Sequence, residues 1–250
     1  MPLPLPLPAL FLAPLVVVVA YVVLAIGGFG SALMSIPLLA LMLPVKLVVP
    51  LVLVVDFIAT AASGMRFRRD VVLGELKPLL PWTALGLIAG VTLLVRLPQQ
   101  WVLLALGLFI FGYAIYSLAY HERTSSCSRW WSIPTGLSGG VISGLFGMGG
   151  PMYVVYLARR IAEPARLRAT LSTIFSLNAA ARLTLFLFSG LLLQLEVWIA
   201  ALYLLPFMVL GLFIGHRIHL RLDRTQIARL VSLLLLATGA SILWKALAAG

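Results

Sequence analysis

The stretch Gly144-Leu145-Phe146-Gly147-Met148-Gly149-Gly150-Pro151 lies inside an apolar run. A helix interior loses about 1 kcal/mol for each Gly and about 3 for a Pro. Four glycines and a proline in eight residues therefore mark a deliberate break in an otherwise helical apolar segment. A second break, Gly27-Gly28-Phe29-Gly30-Ser31, lies near the start of the chain.

Outward from these breaks the chain is almost continuously apolar. Of 250 residues, 62% are hydrophobic and 10% charged, whereas a soluble domain carries about 25% charge. Runs near the ~20 residues needed to cross a bilayer recur throughout. The composition predicts an all-α polytopic membrane protein with no soluble domain. The net charge of +11 sits in short loops, which reads as membrane topology rather than nucleic-acid binding. The single cysteine, Cys127, excludes a disulfide within the chain. Met1-Pro2-Leu3-Pro4-Leu5-Pro6-Leu7-Pro8 lacks the basic n-region of a signal peptide. It reads as an extended lead-in, because alternating prolines resist helix formation.

The pattern predicts spans at about 47–64, 78–95 and 101–119 after the first break, and at about 169–188, 197–215 and 230–248 after the second. The two halves correspond. Phe29-Gly30 matches Phe146-Gly147, Pro44-Val45-Lys46-Leu47 matches Pro164-Ala165-Arg166-Leu167, and Leu80-Pro81 with Gly86 and Gly90 matches Leu205-Pro206 with Gly211 and Gly215. Internal duplication is common in transporter folds. Residues 1–120 form a first transmembrane repeat, 121–132 a cytoplasmic linker and 133–250 a second repeat, together one membrane domain.

Charge decides how the breaks sit in the bilayer. If each broken segment crossed once, Lys and Arg would divide almost evenly between the two sides. If each is a hairpin that returns to its own side, four loops fall together. They hold Arg66, Arg68, Arg69, Lys77, Arg123, Arg129, Arg159, Arg160, Arg166, Arg168, Arg217, Arg221, Arg224 and Arg229. Only Lys46, Arg96 and Lys245 lie opposite, and Arg182 lies within the membrane. That asymmetry is the positive-inside pattern. It predicts two inverted repeats, each a glycine-broken re-entrant hairpin followed by three transmembrane helices, with both termini outside.

Irregular backbone at membrane depth survives only where protein or a water-filled cavity covers it. Beyond each glycine turn, a half-helix offers free N–H groups and a partial positive charge to an anion. The alternative is that the glycines serve tight helix packing. On the functional reading, Gly28, Gly30, Ser31, Gly147, Gly149 and Gly150 line a substrate site near the midplane. Arg182 lies mid-span, on one face with Asn178, and a guanidinium grips oxyanions with a planar fork. Its other reading is a structural ion pair with Asp56, itself a partner for Arg182 or a proton carrier. Thr60, Ser63, Thr173 and Ser176 are candidate polar lining, though such hydroxyls commonly bond the helix backbone. His121, His216 and His219 lie in or beside basic loops and read as a solvated face. The sequence lacks H-E-x-x-H, G-x-S-x-G and Walker A patterns. It predicts no enzyme, no metal and no cofactor.

Gly27-Gly28-Phe29-Gly30 with Ile36-Pro37-Leu38-Leu39, repeated as Gly144-Leu145-Phe146-Gly147-Met148-Gly149-Gly150, resembles the sulfite exporter TauE/SafE family of permease-like membrane transporters. The run from Arg168-Ala169-Thr170-Leu171 through Asn178 and Arg182 to Ser189-Gly190 is similar to that family's second-half helix. The resemblance covers nearly the whole chain. It implies secondary transport of small sulfur oxyanions, namely sulfite, sulfoacetate and related organosulfonates, across a bacterial-type cytoplasmic membrane. The first-half glycine run is leaner here, and Asp56 stands where the family commonly has a small or polar residue. An inside-negative potential favours anion export, whereas uptake needs a coupled proton. The expected partners are a small anion and the lipid bilayer, with no nucleic acid; proton coupling and oligomerisation stay open. A same-fold carrier of another small anion such as a carboxylate, or a non-transport assembly protein, is the alternative.

Overall fold

The computed structural model describes residues 7–27, 30–63, 70–119, 127–218 and 224–248, with side chains at 9–26, 30–59, 70–118, 127–217 and 231–247. Of the expected extended lead-in Met1–Pro8, residues 1–6 lie outside the described residues, whereas Leu7 and Pro8 already belong to the first helix, where a proline is tolerated in the first turn. Gly28 and the side chains of Thr60 and Ser63 also lie outside the described residues. All regular structure among the described residues is helical. It comprises α1 (Leu7–Gly27), α2 (Ser31–Ala40), α3 (Val45–Ser63), α4 (Leu73–Arg96) and α5 (Gln99–Ala119). A 3₁₀ turn at Arg129–Trp131 leads into α6 (Ser132–Phe146), α7 (Gly150–Ala158), α8 (Pro164–Phe188), α9 (Leu195–Ile218) and α10 (Arg224–Ala248). Among the described residues, α1, α4, α5, α8 and α9 contain stretches long and apolar enough to cross a membrane. The all-α membrane architecture expected from composition is therefore present.

Helices α4, α8 and α10 begin earlier than expected, at Leu73, Pro164 and Arg224, and two of the differences from expectation have a reason in the packing. Helix α4 begins at Leu73, inside the expected loop 65–77. Glu75 in its first turn suits the positive helix terminus, and Glu75 is also fixed by Arg160 through contacts of 2.6 and 3.0 Å. The second break is narrower than Gly144–Pro151, because α6 runs through Gly144 to Phe146 and α7 starts at Gly150. Gly144 is helical because packing, not turning, requires it. A Cβ there would lie 2.6 Å from the Leu87 carbonyl oxygen.

The chain forms two compact units. The first gathers Met1–Val55, Leu97–His121 and Leu192–Gly250. Within it α9 lies along α1, where Gly211 and Gly215 meet the backbone of Val18 and Val22. The Tyr203 hydroxyl donates to the Leu10 carbonyl at 2.9 Å. Helix α10 packs on α5, with Gly107 under Leu243 and Gly239 against Phe111. Nearly all of α2 is buried, and the Lys245 ammonium donates to the Leu41 carbonyl at its end, at 2.8 Å. A cation suits the negative end of a helix.

The second unit gathers Asp56–Arg96 and Glu122–Leu191. Its centre is the α4–α6 contact. A Cβ at Gly86, Gly90, Gly136 or Gly140 would strike the opposing helix, so these small residues let the backbones touch. Helix α7 turns back along α6: Gly149 lies on the Gly139 carbonyl and Ser143, and the Tyr153 ring covers Gly139. Leu76, Leu79, Tyr153, Tyr156, Leu157, Ile161 and Ile174 form the apolar core between α4, α7 and α8. At the end of α7, Arg160 bridges Glu75 and the Cys127 carbonyl. The Arg129 guanidinium donates to the Gly74 carbonyl at 2.6 Å.

Candidate anion site

The buried side of α8 repeats every fourth residue: Thr170, Ile174, Asn178, Arg182 and Phe186. Side chains four apart stack on one helix face, so Asn178 and Arg182 point the same way into the second unit. Asn178 is 6% exposed and Arg182 5%. Arg182 is the one charged side chain buried among the described residues. A charge at the centre of a spanning helix costs at least about 2.5 kcal/mol on insertion scales.

The guanidinium ends on the glycine break. Helix α6 stops at Gly147, whose φ of 72° is left-handed and whose N–H reaches back to the Ser143 carbonyl at 2.8 Å. Gly supplies this conformation without the steric penalty of a Cβ. It also supplies room, since a Cβ at 147 would lie 2.7 Å from both terminal nitrogens of Arg182. The Phe186 ring centroid is 5.5 Å from the Arg182 Cζ, a cation–π distance. Asp56, half-buried on α3, lies within electrostatic reach of Arg182.

Polar atoms with few partners gather along this face of α8, around Asn178 and Arg182. Arg182 Nε, both amide atoms of Asn178, the Tyr153 hydroxyl and the Thr83 hydroxyl are buried, and none of them makes a hydrogen bond of good geometry. The Tyr153 hydroxyl neighbours both Thr83 and Asn178. Leaving one such group unsatisfied costs about 1–3 kcal/mol, and native interiors hold few of them. The cluster draws on α4, α7 and α8 and the break before α7. Chemically it offers one amide and two hydroxyls beside Asn178 and, one turn further along α8, one guanidinium at Gly147.

Of the residues expected at the site, the second unit brings together Gly147, Asn178 and Arg182, with Asp56 in electrostatic range. Gly149 is buried in the α6–α7 contact, and Gly150 opens α7. The Thr173 and Ser176 hydroxyls donate to the Ala169 and Ser172 carbonyls, both at 2.8 Å. Gly30 and Ser31 belong to the first unit. There Gly30 has a φ of 110° and caps α2, and the Ser31 carbonyl accepts the Ser35 hydroxyl at 2.7 Å. Tyr153 and Thr83 are additions that the sequence reading missed. The available signal was position: Tyr153 lies one turn into the return helix, and Thr83 shares a face with Gly86 and Gly90.

The family model for the sulfite exporter TauE/SafE matches residues 13–242. The chain belongs to the TauE/SafE sulfite exporter family. A curated relative, the "Probable inner membrane transporter protein TsaS" of Comamonas testosteroni, is 28% identical over 187 residues, covering 73% of this chain and 77% of its own. No solved structure matches the chain. The TauE/SafE membership expected from the paired glycine motifs is thus found, and with it a membrane transporter. The family match extends over both glycine breaks and over Asn178 and Arg182.

Proposed function

We propose that this TauE/SafE protein is a secondary transporter that exports small sulfur oxyanions, such as sulfite, sulfoacetate or other organosulfonates, across the cytoplasmic membrane. The observation that carries the proposal is Arg182, a buried guanidinium set against the Gly147 turn with its Nε unpartnered. In this reading the anion sits on Arg182 and Asn178 and faces the start of α7, where a helix carries roughly half a positive charge. Outward movement needs no coupling ion. An inside-negative potential drives an anion out by about 2.3 kcal/mol per charge per 100 mV. The relative's printed name supports the inner-membrane location. Contacts within the units support a duplicated architecture. The glycine-bearing helix of each half, α4 or α9, packs on the broken segment of the other half, α6 or α1.

The test is anion flux in proteoliposomes. Arg182→Ala should lower sulfite or sulfoacetate flux at least about a hundredfold, the loss of a charge-assisted bidentate contact. Arg182→Lys should recover only part of it, because an ammonium lacks the planar fork. Wild-type flux from a folded Arg182→Ala protein overturns the proposal. A carboxylate such as acetate, carried better than any sulfur oxyanion, would keep the fold's transport role and remove the substrate class.

A further inference from the structure

Resting on that anion site, we infer that it favours a monoanion, with Tyr153 and Thr83 as specificity-determining neutral donors; within the class proposed above, singly charged sulfonates and hydrogensulfite fit it best, and sulfoacetate, doubly charged sulfite and sulfate bind more weakly. The first argument is charge. Arg182 is the one buried charged side chain among the described residues. Asp56 opposes it within electrostatic range. The start of α7 contributes at most about half a unit of positive charge, and Pro151 in its first turn removes one N–H donor. The net positive charge is therefore on the order of one or less. A second negative charge on the ligand would lie in apolar surroundings without a counter-charge, which is strongly unfavourable.

The second argument is the remaining donor set. Tyr153 is 1% exposed and Thr83 5%, and the Tyr153 hydroxyl lies in reach of Thr83 and Asn178 without a hydrogen bond of good geometry to either. Hydroxyl and amide donors bind oxygens without adding charge. They match an anion whose single charge is spread over several oxygens. The Tyr153 ring is held by Gly139 and faces Phe175 at 6.5 Å between centroids. Its hydroxyl is therefore a positioned group rather than a mobile one.

The experiment compares methanesulfonate and sulfate, singly and doubly charged at neutral pH, by calorimetric binding to the purified full chain. Methanesulfonate should bind at least about tenfold tighter than sulfate. Tyr153→Phe should weaken methanesulfonate about tenfold, the loss of one buried hydrogen bond, and Thr83→Val should act in the same direction. Asp56→Asn, which adds one net positive charge, should raise sulfate affinity relative to methanesulfonate about tenfold. Sulfate bound as tightly as methanesulfonate, with both lost in Arg182→Ala, overturns the monoanion inference and leaves the anion site standing. Unchanged methanesulfonate binding in folded Tyr153→Phe and Thr83→Val removes their specificity role. Binding that ignores Arg182→Ala overturns the anion site itself.

Discussion

Gly147 carries two requirements at one atom. Its backbone is left-handed, and the space a Cβ would occupy is filled by the Arg182 guanidinium. A left-handed non-glycine residue costs roughly 1–2 kcal/mol, and the guanidinium would also have to move. Gly147→Ala should therefore lower the thermal midpoint by several degrees and reduce anion flux about tenfold or more. Melting curves and proteoliposome flux on the same preparation check both effects. Normal flux with a lowered midpoint would make the residue structural only. Arg182 was legible in the sequence because a lone charge inside an apolar span is expensive and therefore conspicuous. Tyr153 and Thr83 were not, since an apolar helix carries such residues for many reasons. Only packing shows that their hydroxyls converge beside Asn178. Thr173 and Ser176 follow the commoner reading of such hydroxyls, since both donate to carbonyls within α8.

At the scale of elements, glycines divide into those that turn the chain and those that let helices touch. The sequence alone cannot separate them, which is why the break read as Gly144–Pro151 is shorter in the fold. Gly140 illustrates the second kind: a Cβ there would fall on the Thr83 carbonyl and crowd Leu87 and Gly86 of α4. Gly140→Leu should prevent the α4–α6 contact and abolish accumulation of folded protein, read as loss of the monodisperse peak on size exclusion. Gly112, inside α5, has open space around it. Gly112→Ala should leave folding intact and stabilise α5 by up to about 1 kcal/mol, the helix-propensity difference. Equal behaviour of the two variants would show that the α4–α6 contact is not what these glycines serve. Element existence was legible because each apolar run is long. The α4 start was not, because Glu75 reads as a loop residue until its pairing with Arg160 is seen.

For the whole molecule, the distribution of cations carries the topology. The segment between α8 and α9 (residues 189–194) has no Lys or Arg, while the segment between α7 and α8 carries Arg159 and Arg160 at its start. The positive-inside pattern predicts the two segments on opposite sides of the membrane, with the Arg159–Glu163 segment cytoplasmic. Local pairing does not alter this. Glu75 holds the Arg160 guanidinium further toward its charged form through their hydrogen bonds, and the bias counts cations rather than net charge. The half-buried Cys127 is first replaced by serine, leaving a cysteine-free chain. Single cysteines then go to Leu193 and Glu163, both exposed. In intact cells, a membrane-impermeant maleimide should label Leu193→Cys directly. It should label Glu163→Cys only after permeabilisation. The reverse pattern would invert the whole topology. A single cysteine at the exposed Ser128, before α6, should behave as Glu163→Cys does, and its labelling from outside while Glu163→Cys stays protected would remove the hairpin reading of the second break. Protection of both Ser128→Cys and Glu163→Cys, which flank the second break, would leave Gly147 at the tip of a segment that enters from the cytoplasm and returns to it. Arg182 would then meet that tip at the depth where an exported anion must shed its water.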